Sequence, residues 1–203
     1  MTRRFGYSIA LAAVLSFALA PIHAAAAGGT IEGAVKIAGV ASPANVVVFV
    51  QHAEGTFPPS AAASMDQQSM KFVPHVLPIV VGTTVKFLNN DATQHNVFSP
   101  DYEKYNLGTW PQGQTKDHAF TKCAKVPCAY VQLCRIHPEM EGYIVVLQNP
   151  FFAVTDQNGH YKIDNVPPGA YTLGVWHEKG KAQPKPVTVA AGKPATVDFV
   201  LAK

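Results

Sequence analysis

Charged side chains are scarce. Lys, Arg, Asp and Glu make up 14% of the 203 residues, with 16 basic against 13 acidic. Such a balance gives no reason to expect nucleic acid or an anionic membrane surface as a partner. After the first 27 residues no apolar run is long enough to cross a bilayer, and no convincing amphipathic helical period is found. Cysteine is limited to Cys123, Cys128 and Cys134. The C-x-x-C-H signature that attaches a c-type haem is absent, which removes that redox chemistry.

What is present begins with an export signal. Arg3 and Arg4 form a basic start, Ile9 to Ala20 an apolar run, and His23 to Ala27 an alanine-rich stretch suited to cleavage. Residues 1–27 are therefore expected to be a signal peptide, because the apolar run is too short for a comfortable membrane span. The remainder of a twin-arginine pattern is missing. Without Arg3 and Arg4, 14 basic residues face 13 acidic ones. The mature chain is expected to be exported to the periplasm, an oxidising compartment, with no transmembrane segment. An odd cysteine count there leaves one thiol unpaired. Cys123 and Cys128 flank a short Ala-Lys-Val-Pro connection and could be bridged or remain reduced. Cys134 is then the odd thiol.

The rest of the chain reads as short strands separated by turns. Ile31 to Ile37 alternates with a period of two, and Val46 to Val50 is apolar enough to be buried on both faces. Gln51 to Ser69 reads as a loop. Ile79 to Val81 and Thr84 to Leu88 flank a Gly82-Thr83 turn, and Asn89-Asn90-Asp91 marks another. Ala129 to Leu133 and Tyr143 to Leu147 are strands. Asn158-Gly159 between alternating runs signals a hairpin, and Val187 to Val189 and Thr196 to Leu201 complete the series. With 15 Gly and 16 Pro, the pattern predicts an all-β chain of sandwiches.

Between two of those strands lies "CRIHPEM", which spaces a thiol, an imidazole and a thioether three residues apart at Cys134, His137 and Met140. A thioether is a poor ligand for zinc or iron and a good one for copper. A type 1 copper centre needs two His and one Cys with a weak axial Met. The second imidazole is expected from His95, which follows a strand and a turn. Lone Cys and Met residues usually serve the core, and a Cys–His nucleophile is conceivable from residue types. Neither explains four donors in this order. A binuclear copper site would need a second Cys within the loop.

The pieces "VVGTTVKFLN", "HNV" and "CRIHPEM" resemble a cupredoxin of the amicyanin/plastocyanin type over Phe72 to Leu147. The resemblance implies a Greek-key β-sandwich holding one type 1 copper per chain on His95, Cys134, His137 and Met140. It also implies that Asn96 steadies the ligand loops from behind. Pro138 restricts φ and stiffens the same loop. Cys123 and Cys128 depart from the family's usual pattern. The later stretch "TDQNGHYKIDNVPPGAYTLGVW" with "VTVAAGKPATVDFVL" resembles a carboxypeptidase regulatory-like, transthyretin-like (Ig-like) sandwich. The combined architecture is similar to that of proteins labelled methylamine utilisation protein. The implied layout is 1–27 signal, 66–148 cupredoxin and 149–203 regulatory-like sandwich. Residues 28–55 supply the first strands of that sandwich or of the cupredoxin itself.

Other donors weigh less. His75 is read as a strand-end residue at the edge of the site, His118 as solvent-facing and His160 as part of a hairpin. Trp110 to Gly113 is placed in the long loop between the ligand segments, and Trp176-His177-Glu178 at a strand end. With every metal position filled by protein, no substrate can reach the ion, so an enzyme is not expected. The expected function is a periplasmic one-electron carrier that meets a redox partner such as a cytochrome or a dehydrogenase. The alternatives are a copper-handling protein using the same donors, or an envelope docking or carbohydrate-binding module led by the C-terminal sandwich.

Overall fold

The computed structural model describes Thr2 and residues 28–203, so the signal segment expected over 1–27 lies, Thr2 apart, outside the described residues. Among the described residues all regular structure is β. In chain order the strands are β1 Gly29–Ile37, β2 Val47–Val50, β3 Ser64–Gln67, β4 Phe72–Val73, β5 Val76–Val80, β6 Thr84–Leu88, β7 His95–Phe98 and β8 Asn106–Trp110. They continue as β9 Thr115–Ala119, β10 Cys128–Leu133, β11 Glu141–Leu147, β12 Phe152–Val154, β13 His160–Val166, β14 Gly169–Trp176, β15 Lys185–Val189, β16 Pro194–Thr196 and β17 Phe199–Leu201.

Four sheets form two β-sandwiches. In one, the sheet β13-β1-β16, with β17 also on β1, faces the sheet β12-β2-β14-β15. The alternation read in β1 now has a cause, since Ile31, Val35 and Ile37 point at Val46, Val48 and Val50 across the core. In the other sandwich the sheet β5-β11-β10-β7-β8 faces β4-β3-β6-β9. Its core holds Met65, Phe72, Val85, Phe87, Phe120 and Tyr130, together with Cys134 and Met140. Among the described residues, strands β1 and β2 pair only with strands that follow residue 151.

The sandwiches stack on each other. A third cluster of Val47, Phe49, Val76, Val145 and Leu147 lies between the outer faces of β2 and β11. Residues alternate faces along a strand, so β2 sends Val48 and Val50 to one core and Val47 and Phe49 to the contact. Strand β11 divides Ile144 and Val146 from Val145 and Leu147 in the same way. That is why both strands read as unbroken apolar runs.

Several expectations need correction. The loop expected from Gln51 to Ser69 contains β3, which pairs with β6 and β4. The long loop expected to hold Trp110 contains β8 and β9, and Trp110 ends β8 in register with His95. Asn158-Gly159 does not close a hairpin. It carries the chain from β12, which pairs with β2, to β13, which pairs with β1. Gly159 has φ +84°, and a Cβ there would sit 2.2 Å from the Val35 carbonyl oxygen, so close approach of the backbone demands the glycine. The single strand expected over Thr196 to Leu201 is split into β16 and β17, both parallel to β1. At the split the Val197 carbonyl fills the space a Cβ at residue 33 would occupy, which requires Gly33 in β1.

Candidate metal centre

The fold brings the sequence-distant donors together through one strand pairing. Strands β7 and β10 are neighbours joined at Phe98 and Leu133. His95 begins β7, and Cys134 is the first residue after β10. Strand β10 also pairs with β11, Leu133 opposite Glu141, so Cys134 to Met140 is the connection between them. Within it the Met140 amide donates to the His137 carbonyl at 3.0 Å, which curls the loop back toward the core.

The ligating atoms of His95, Cys134 and His137 lie within 4.8 Å of one another. His137 Nδ1 is 3.0 Å from His95 Nδ1 and 3.8 Å from Cys134 Sγ. An ion bonded to imidazole nitrogen and thiolate sulfur at about 2.0–2.3 Å needs donors roughly 4 Å apart or less, and His137 Nδ1 meets that requirement with both His95 Nδ1 and Cys134 Sγ. His95 and Cys134 are buried, and His137 is half-buried. Met140 is 1% exposed and packs in the same cluster as Cys134. Ile136 is 46% exposed, so the loop's outer edge at His137 is where the set approaches solvent.

Hydrogen bonds hold the set from behind. The Asn96 amide donates to Cys134 Sγ at 3.4 Å. Asn96 Oδ1 accepts from the Arg135 amide at 3.4 Å, and Asn96 Nδ2 donates to Asn106 Oδ1 at 2.8 Å and the Gly108 carbonyl at 2.7 Å. One buried side chain thus links the His95 strand, the Cys134 loop and β8. Pro138 is exposed within the loop.

Asp91 was read from the sequence only as part of a turn. Its Oδ2 accepts from His95 Nε2 at 2.8 Å. A carboxylate only accepts, so Nε2 carries a hydrogen, which in the neutral ring leaves His95 Nδ1 its lone pair on the side of the other donors. The Ser69 and Met70 amides also donate to Asp91, at 2.6 and 2.8 Å. Burial pushes the Asp91 pKa up, but the Met70 and Ser69 amides, with His95, outweigh it and hold the carboxyl below its ordinary 3.8. The signal for Asp91 in the sequence was only its position four residues before His95. The bend that brings it back depends on Asn89, buried and donating to the Thr93 and Trp110 carbonyls at 2.9 and 3.0 Å.

The remaining candidates lie elsewhere. His75 stands apart from the donor group, with Nδ1 3.1 Å from the Glu141 carbonyl and Nε2 3.5 Å from Glu178 Oε2. It lines a cleft of about 380 Å³ together with Met70, Phe72, Met140 and Glu178. His118 is not solvent-facing: its side chain is 17% exposed, stacks on Tyr105 at 3.7 Å and meets Glu103 at 3.2 Å. His160 is exposed and opens β13. Trp176 packs on Tyr143 at 5.1 Å between the sandwiches. Cys123 and Cys128 are joined in a disulfide with Cα atoms 6.1 Å apart, and Cys134 is a free thiol.

Residues 140–202 match the family model for the carboxypeptidase regulatory-like domain. The match begins at Met140 and so takes in β11, which belongs to the other sandwich. No curated protein matches the chain. Among solved structures, a copper-containing nitrite reductase from Thermus scotoductus is 31% identical over 46% of this chain and 24% of its own, with TM-score 0.38. The matched part therefore spans about a quarter of that reductase. A reduced amicyanin variant is 28% identical over 42% of this chain and 81% of its own, TM-score 0.38. A purple cupredoxin from Nitrosopumilus maritimus is 26% identical over 41% of this chain and 98% of its own, TM-score 0.37. These TM-scores lie below 0.5, so the functional reading rests on the side chains themselves.

Proposed function

We propose that the protein is an exported, periplasmic copper protein that holds one type 1 copper and passes single electrons between redox partners. The observation that carries this reading is the convergence of His95, His137 and Cys134, whose ligating atoms lie within 4.8 Å of one another, with Met140 buried in the same cluster. A thiolate, two imidazoles and a thioether form a donor set suited to copper. Bound copper would supply a one-electron Cu(II)/Cu(I) couple. The chain's own residues supply the rest. Asn96 donates its amide to the Cys134 sulfur, a contact of the kind that tunes a metal site. His95, Cys134 and Met140 are sealed from water, while His137 reaches the outer edge, where a partner could approach. Four protein donors leave no place for a substrate, which supports a carrier over an enzyme.

The proposed layout assigns 66–148 to the copper-binding sandwich. Residues 28–55 and 149–203 form the second sandwich, with the pairing of β1 and β2 in support.

Addition of Cu(II) to the purified mature protein should give an intense blue charge-transfer band and a narrow copper hyperfine splitting. Cys134→Ser should abolish both, and Cys123→Ser should spare both. A colourless, normally coupled copper product in the unmodified protein would overturn the type 1 reading.

A further inference from the structure

Asp91 stands where the turn between β3 and β4 meets the bend between β6 and β7. The hairpin between β3 and β4 turns through Ser69 and Met70, which both have φ +54°. Two left-handed residues in a row suit Asn-Gly and are unfavourable for Ser-Met. The turn closes with the Gln68 and Lys71 amide–carbonyl pair, and its two central amides are satisfied by Asp91. The same carboxylate oxygen that accepts from Met70 also accepts from His95 Nε2. Asp91 is held in turn by Asn89 Oδ1, which accepts its amide at 3.0 Å. Asn90 next to it is tied to Asp66 Oδ2 at 2.7 Å and to the Gln67 carbonyl at 3.1 Å. The anionic oxygen is thus fixed against the far side of the His95 ring by ties to residues that never touch a metal.

We infer that Asp91 is a positioning residue for the metal centre: it locks His95 in the Nε2–H tautomer, aims Nδ1 at the metal position and makes that imidazole a stronger donor. The inference rests on the copper reading above. A carboxylate behind a ligating imidazole raises its basicity, and losing such a partner costs about 10–100-fold in metal affinity. A more basic donor favours Cu(II) over Cu(I). Each tenfold of that preference lost raises the reduction potential by about 59 mV for a one-electron couple.

The test compares the unmodified protein with Asp91→Asn and Asp91→Ala. Ring nitrogen–proton correlation spectra of the metal-free protein should show His95 solely as the Nε2–H tautomer, and Asp91→Ala should give a mixture. Chelator competition should show Cu(II) affinity lowered about 10–100-fold in Asp91→Ala, with Cu(I) affinity changed less and the potential raised in step. Asp91→Asn keeps an acceptor oxygen without the charge, so it should keep most of the tautomer preference and still raise the potential. If both variants melt earlier but keep the tautomer and the Cu(II)-to-Cu(I) affinity ratio, Asp91 merely staples the hairpin and the inference fails. The tautomer measurement needs no copper. A missing blue band together with a changed tautomer would therefore sink the copper reading and leave the positioning role standing.

Discussion

Asn96 shows how much one buried amide can organise. Its side chain is 3% exposed and has three partners, the Arg135 amide, Asn106 Oδ1 and the Gly108 carbonyl. Asn96→Ala removes three hydrogen bonds made by a buried side chain, each worth about 0.5–1.5 kcal/mol, so the metal-free protein should lose about 1–3 kcal/mol in urea unfolding. An unchanged midpoint would mean that water replaces the amide without cost. The donors themselves were legible because soft ligands at short, fixed spacing are chemically unusual. Asp91 was not, because an Asp in a turn is ordinary and only the folded loop shows what its carboxylate faces. His177 gives a pH signature of its own. Burial pushes its pKa below the ordinary 6.5, Glu178 pulls it up, and Lys179 and His75 push it down, for a net lowering. The unfolded chain then takes up the proton first, so stability falls as pH drops below 6.5 toward the lowered value. His177→Asn should flatten the dependence of the unfolding midpoint on pH across that window. A slope unchanged by the substitution would assign the dependence to other groups.

Among the strands, β2 was legible as an element buried on both faces and β11 only as a strand, and the sequence could not show what covered the second face of either. The answer is each other. Phe49 is 3% exposed in the contact between the sandwiches, and its ring would lie 2.8 Å from a Cβ at Gly174. Phe49→Ala should therefore cost about 3–5 kcal/mol, as a cavity in a packed core does, seen as a lower denaturant midpoint. A loss below about 1 kcal/mol would show that the contact repacks around the gap. Strands β8 and β9 escaped detection for the opposite reason. Their residues are mostly exposed, so neither carries the apolar alternation that marks a half-buried strand. Asn158-Gly159 misled because a left-handed turn is needed equally by a hairpin and by a chain crossing between facing sheets.

The two sandwiches cannot be separated by cutting the chain once. A piece ending at Gln148 keeps β1 and β2 but removes every strand they pair with, leaving unpaired edges and half a core. The shared contact also predicts that they unfold together. Val47, Phe49, Val145 and Leu147 are each at most 3% exposed, and opening either sandwich alone would expose that face to water. Trp110 and Trp176 are the chain's two tryptophans, and they report on different halves, Trp110 in the sandwich of the donor set and Trp176 at the end of β14. Trp110 Nε1 is buried without a hydrogen-bond partner, so Trp110→Phe removes an unsatisfied donor and leaves Trp176 as the sole indole. In that variant, copper at about 100 times its dissociation constant should stabilise the native state by about 2.7 kcal/mol. Trp176 fluorescence should report the same rise in unfolding midpoint as circular dichroism, although the indole lies in the other sandwich. A Trp176 midpoint indifferent to copper, beside a circular dichroism transition that splits in two, would show that the sandwiches are thermodynamically independent and that the contact between β2 and β11 transmits nothing.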